Sequence, residues 1–85
     1  MKTIKHLIVN EKGLLGNNAN KFVHKCSTFK SSITVSLGYK TVNAKSILAV
    51  LYLRAIQFDY IEITICGIDE EIAHVVIRNF LIENY

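Results

Sequence analysis

The side chains of this 85-residue chain with most capacity for covalent or metal chemistry are three histidines and two cysteines. Cys26 and Cys66 lie forty residues apart with no CxxC, which gives neither a disulfide framework nor a zinc signature. Cys26 reads as a helix-face core residue and Cys66 as a strand-end residue, both reduced if the protein is cytoplasmic. His6 falls in an extended segment, His24 inside a helical pattern and His74 one turn into another, so each reads as structural or as a solvated surface residue. No Ser-His-Asp spacing, carboxylate pair or glycine-rich phosphate loop accompanies them. Catalysis is therefore not expected, and neither a metal nor a cofactor is called for. The remaining candidate is Ser46, which directly precedes the apolar run Ile47 to Leu53 in the position of a helix N-cap. A hydroxyl there caps the helix, and it is also a place where a phosphate is electrostatically favoured.

Composition narrows the partners. Half the residues are apolar and 20% are charged, which suits a globular chain. The net charge of +3 is mild and its lysines are scattered. A nucleic-acid footprint needs a focused basic patch, so direct nucleic-acid binding is not expected. The longest apolar run is too short to span a bilayer, and the first residues lack the apolar core of a secretory signal. A cytoplasmic protein of one domain, residues 1–85, is expected.

The elements that would position Ser46 follow from periodicity. Residues 2 to 9 read as a strand with Ile4, His6 and Ile8 on one side. Leu7 and Val9 add apolar character to the other, which leaves open a homodimer through this strand. Gly13 breaks the chain, and Leu15, Ala19, Phe22, Val23 and Cys26 then recur at helical spacing, with Asn17 or Asn18 available to cap the start. Ile33, Val35 and Leu37 alternate with polar residues. Gly38-Tyr39 supplies a two-residue hairpin turn into a short strand over residues 40–43. In the helix after Ser46, Val50 and Leu53 face the core, leaving Ile47, Leu48 and Leu51 partly exposed. Ile61, Ile63 and Ile65 give the clearest strand, and Gly67 ends it. Asp69 is placed to cap a last helix whose buried stripe reads Ile72, Ala73, Val76, Ile77, Phe80 and Leu81. The order is βαββαβα: an α+β open-faced sandwich, a four-stranded antiparallel sheet with three helices on one face.

This order resembles the HPr phosphocarrier family of the bacterial sugar phosphotransferase system. The resemblance is carried by Gly13-Leu14 before the first helix and Phe22-Val23 within it, by the stretch Lys40 to Leu48, and by Gly67-Ile68-Asp69-Glu70. The Lys40 to Leu48 stretch is the most specific, because it holds the family's regulatory serine, here Ser46. The family's active-site stretch reads Gly-Leu-His-Ala-Arg-Pro-Ala, whereas this chain reads Gly13-Leu14-Leu15-Gly16-Asn17-Asn18-Ala19. Leu15 stands at the phosphoryl-accepting histidine and Asn17 at the arginine. A carrier needs a nucleophilic nitrogen and a cation to stabilise the moving phosphoryl group, and neither replacement supplies one.

The resemblance thus implies a protein that cannot carry phosphohistidine and that binds other proteins under the control of Ser46 phosphorylation. The catabolite-repression HPr-like proteins (Crh) follow that logic, although they keep the arginine that is Asn17 here. Implied partners are HPr kinase/phosphorylase, a LacI-type regulator such as catabolite control protein A, or components of the phosphotransferase system. The family's docking face would include Leu15, Ile47, Leu48 and Leu51. An alternative is a decoy or degenerate paralogue that occupies carrier-binding surfaces without transferring phosphate. The family has glycines where Arg54 and Phe58 stand, so this loop is expected to take a different path.

Overall fold

Ile61, Ile63 and Ile65 point to one side of an extended segment because successive strand side chains alternate, and all three are buried. In the computed structural model, which describes residues 1–85, the elements are β1 (Lys2–Leu7), α1 (Gly16–Ser27), β2 (Ser32–Leu37), β3 (Lys40–Asn43), α2 (Ile47–Leu53), β4 (Tyr60–Cys66) and α3 (Glu70–Asn84). The strands form one antiparallel sheet in the order β1-β4-β2-β3. The isoleucine-rich strand is therefore central. Its neighbours bring Ile4 opposite Ile63, and Ile33 and Val35 opposite Ile65 and Ile63.

The helices cover this apolar side. Phe22 from α1, Val50 and Leu53 from α2, and Ile77 and Leu81 from α3 are all fully buried in one cluster. The other side of the sheet is polar and open. Lys5, Glu62, Ser36 and Thr41 form a continuous cross-strand row there, with the Ser36 and Thr41 hydroxyls 2.8 Å apart. The architecture is the expected α+β open-faced sandwich. The Gly38-Tyr39 hairpin also holds, with Gly38 at φ +61°.

Four local expectations are corrected. First, β1 ends at Leu7 rather than residue 9: Ile8 still bonds the residues just before β4, through Asp59 and Phe58, but the Val9 N–H leaves the sheet to donate to the Tyr85 carbonyl. Second, neither Asn17 nor Asn18 caps α1. Leu15 occupies the cap position without a side-chain bond, while the Asn18 carboxamide donates to the Gly13 carbonyl at 2.9 Å. Third, Asp69 stands at the α3 N-cap but its carboxylate is engaged elsewhere. It accepts bonds from the Ser31 hydroxyl and from the Lys30 and Ser31 N–H groups, tying the start of β2 to α3. Glu70 reaches back instead to accept from the Gly67 N–H at 3.0 Å. Fourth, Ile72 is 59% exposed and takes no part in the buried stripe of α3.

Candidate docking and phosphorylation face

Ser46 sits where the sequence places it. Its backbone is extended, and its hydroxyl oxygen accepts a bond from the Ala49 N–H at 3.3 Å, a helix N-cap. The approach is fixed by Asn43, whose side chain accepts from the Lys45 N–H at 2.9 Å and whose carbonyl accepts from the Ser46 N–H. Lys45 is adjacent in sequence, but its ammonium donates to the Phe29 carbonyl at 2.7 Å and is committed there rather than to Ser46.

Along α2, Val50 and Leu53 are buried as expected. Ile47 and Leu51 are half-buried against the core, and Leu48 is 78% exposed. Tyr52, one turn beyond Leu48, is also exposed, and Lys40 lies 5.0 Å above its ring. Sequence reading passed over Tyr52, although its spacing of four from Leu48 puts both on one helix face.

α1 packs against α2. The start of α1 is a shallow depression of about 500 Å³ lined by Lys12, Leu15, Gly16, Asn17, Asn18 and Lys21. Leu15 is half-buried and Asn17 exposed. The depression includes no residue of α2, so Leu15 is not gathered into one pocket with Ile47, Leu48 or Leu51. The Gly16 and Asn17 N–H groups have no acceptor within the chain, so an anion could still be received here. Leu15, Gly16, Asn17 and Asn18, however, offer only hydrogen, an alkyl group and carboxamides, none of them a nucleophile at neutral pH. Lys12 and Lys21, which flank this start, were not singled out from the sequence, since only the fold brings them together.

The histidines lie away from that end. His6 is half-buried on the core side of β1, and burial lowers its pKa. His24 is exposed in the middle of α1, and His74 is half-buried on α3. Cys26 is fully buried, which pushes its thiol up to about 12, so it is inert at neutral pH.

The loop after α2 corrects an expectation. Arg54 caps α2 at φ 54°, ψ 43°, and Phe58 lies at φ 73°. Both non-glycine residues adopt the left-handed conformation that glycine tolerates best. The loop keeps the glycine-type turns because its bonds over-determine it. The Arg54 N–H donates to Leu51, the Phe58 N–H to Ile8, and the Leu14 N–H to Ala55, while the Asp59 carboxylate accepts from the Ile56 N–H. Gly13 lets this loop close, since a Cβ there would lie 2.6 Å from the Ala55 carbonyl oxygen. Phe58 is 69% exposed.

An open-faced sandwich of this strand order, with one helix start and one serine-capped helix on the covered side, defines an HPr-like module. Residues 2–83 match the model of the PTS-HPr family, described as the PTS HPr component phosphorylation site. The chain belongs to that family. It is 39% identical over 67 residues to the phosphocarrier protein HPr of Xylella fastidiosa, covering 79% of this chain and 75% of the relative. The crystal structure of HPr-C-His from Thermoanaerobacter tengcongensis superposes with a TM-score of 0.94 at 33% identity, over 99% of this chain and 94% of that one. The catabolite-repression protein Crh of Bacillus subtilis gives a TM-score of 0.76 at 26% identity, over 99% and 97%. No helix is long and apolar enough to cross a membrane.

Proposed function

We propose that this chain is an HPr-like regulatory binding protein that does not carry phosphohistidine, and that Ser46 phosphorylation controls its docking. The observation that carries this reading is the chemistry at the start of α1. Leu15 stands in the place of the family's histidine, and Asn17 in that of its arginine. No group there can accept a phosphoryl from another protein, while Ser46 keeps an ordered cap beside the exposed Leu48.

Phosphorylation of Ser46 would exchange one weak acceptor for a dianion without requiring α2 to unfold. It would set that charge beside the exposed Leu48 at the start of α2, turning an apolar surface mixed, which is a change a partner can read. The partners of this reading are HPr kinase/phosphorylase and a LacI-type regulator such as catabolite control protein A, met in the cytoplasm. Asn17 weakens the case for that particular regulator, since an arginine there would pair with a partner's carboxylates bidentately and a carboxamide cannot.

A second reading is a decoy that occupies carrier-binding surfaces on Enzyme I or the sugar permease components. The match to a carrier fold over nearly the whole chain and the pair Lys12 and Lys21 at the start of α1 support it. Incubation with HPr kinase/phosphorylase and ATP, followed by intact-mass measurement, separates the two. One added phosphoryl that Ser46→Ala abolishes supports the regulator. An unchanged mass, together with inhibition of Enzyme I-dependent phosphorylation of a carrier HPr, supports the decoy.

A further inference from the structure

The outer face of α3 is apolar where a solvated helix should be polar. Its buried side is Ala73, Ile77 and Leu81. On the opposite side Ile72 is 59% exposed, Val75 45% and Ile82 67%, and Ile68 just before the helix is 90% exposed. Scattered single apolar residues are ordinary on a surface, whereas a contiguous row marks a contact. Within the helix, positions 72, 75, 79 and 82 are spaced by three, four and three, the seam of a coiled coil. At 100° per residue they fall within an arc of about 80°. The one polar member is Asn79, and its side chain makes no hydrogen bond within the chain.

We infer that a second copy of this chain packs along α3 in parallel, in register, with Ile72, Val75, Asn79 and Ile82 each meeting its own counterpart. Three features select that partner and orientation. Asn79 occupies an a position, where a single asparagine pairs with its copy and fixes register and pairing. Arg78 and Glu83 then stand at g and e positions, so Arg78 of each copy faces Glu83 of the other, giving two symmetric ion pairs. Neither residue has an ion-pair partner within its own chain. An antiparallel pair with the rows fully overlapped would instead bring Arg78 against its own copy. The side of α3 buried against its own domain, Ala73, Ile77 and Leu81, is directed the other way. α3 packs on β1 and β4 while α2 packs on β2 and β3, so the Ser46 side stays free.

Two heptads make a small interface, and a weak dimer with a dissociation constant on the order of 10–100 μM is expected. Sedimentation of the full chain between about 5 μM and about 1 mM spans that range. Arg78→Glu places like charges at both g–e contacts and should raise the dissociation constant about tenfold, while the double change Arg78→Glu/Glu83→Arg should restore it to within about threefold. Both positions are exposed, so neither change threatens the fold. In a Cys66→Ser background, Val75→Cys should oxidise to a disulfide-linked dimer, because d positions face each other only in the parallel arrangement. A strict monomer at about 1 mM would overturn the inference. So would self-association that Arg78→Glu leaves unchanged, as pairing through the β1 edge would give, or a double variant that stays weak.

Discussion

Replacing Arg54 and Phe58 by glycine should stabilise this protein, contrary to the usual effect of introducing glycine. Each residue holds a left-handed backbone, φ 54° and φ 73°, which costs an L-residue roughly 1–2 kcal/mol. Glycine removes that cost but gives up about 0.5–1 kcal/mol of additional chain entropy on folding. Neither side chain offsets the strain with burial, since Arg54 is exposed and Phe58 is 69% exposed. The net gain is about 0.5–1 kcal/mol for each change and about 1–2 kcal/mol for both, with some coupling because they share one loop. In a domain of this size that corresponds to a rise in Tm of about 4–16 °C for the double variant. Urea unfolding checks it, with the slope required to stay constant so that the midpoint reports stability alone. A midpoint that stays put or falls for both single variants would refute the reasoning, and would mean that the side chains contribute contacts outweighing the backbone strain.

Three further outcomes follow from the same contacts. Gly13→Ala should destabilise by about 2 kcal/mol or more, because the new Cβ meets the Ala55 carbonyl at 2.6 Å in a left-handed backbone; urea midpoints measure it. Ser46→Ala should cost about 1 kcal/mol through loss of the α2 cap, and Ser46→Asp should recover most of it, since a carboxylate also accepts from the Ala49 N–H. Asp69 is held below the usual carboxylate range by the Ser31 hydroxyl and then the Lys30 N–H, and Glu70 by the N-terminal ammonium and then the Gly67 N–H. Because their folded pKa values are depressed, the stability they contribute is present above the ordinary values of 3.8 and 4.5 and is lost as pH falls through the lower folded values. Asp69→Asn should therefore flatten the acid side of a Tm-against-pH curve and leave the neutral side parallel to that of the parent.

The fold was legible because its signals are local. Ile61-Ile63-Ile65 alternate against Glu62 and Thr64, and Ala19-Phe22-Cys26 repeat at helical spacing, so each segment names its element and its buried face. What escaped the sequence depends on partners distant in the chain. Asp69 looks like a cap from its own neighbourhood, but Ser31, thirty-eight residues away, competes for the carboxylate and takes it. Lys45 looks free beside Ser46 until the Phe29 carbonyl comes within 2.7 Å. Ile72 joined the buried stripe of α3 because the apolar residues there cover more of the helix than one core contact can hide. The left-handed turns at Arg54 and Phe58 were invisible for the opposite reason. The residues present carry no sign of a positive φ, and only the bonds around the loop impose it.

Ser46 was legible as a cap from a single residue next to an apolar run. The proposed absence of phosphoryl carriage through a histidine is the claim most open to direct contradiction. Incubation with Enzyme I and phosphoenolpyruvate, followed by intact-mass measurement without acid exposure, tests it in one step, with a carrier HPr in a parallel sample to show that the reagents are active. No mass increase is expected. One added phosphoryl group, mapped to His6, His24 or His74, would contradict the loss of carrier function and return this chain to the phosphocarriers it resembles.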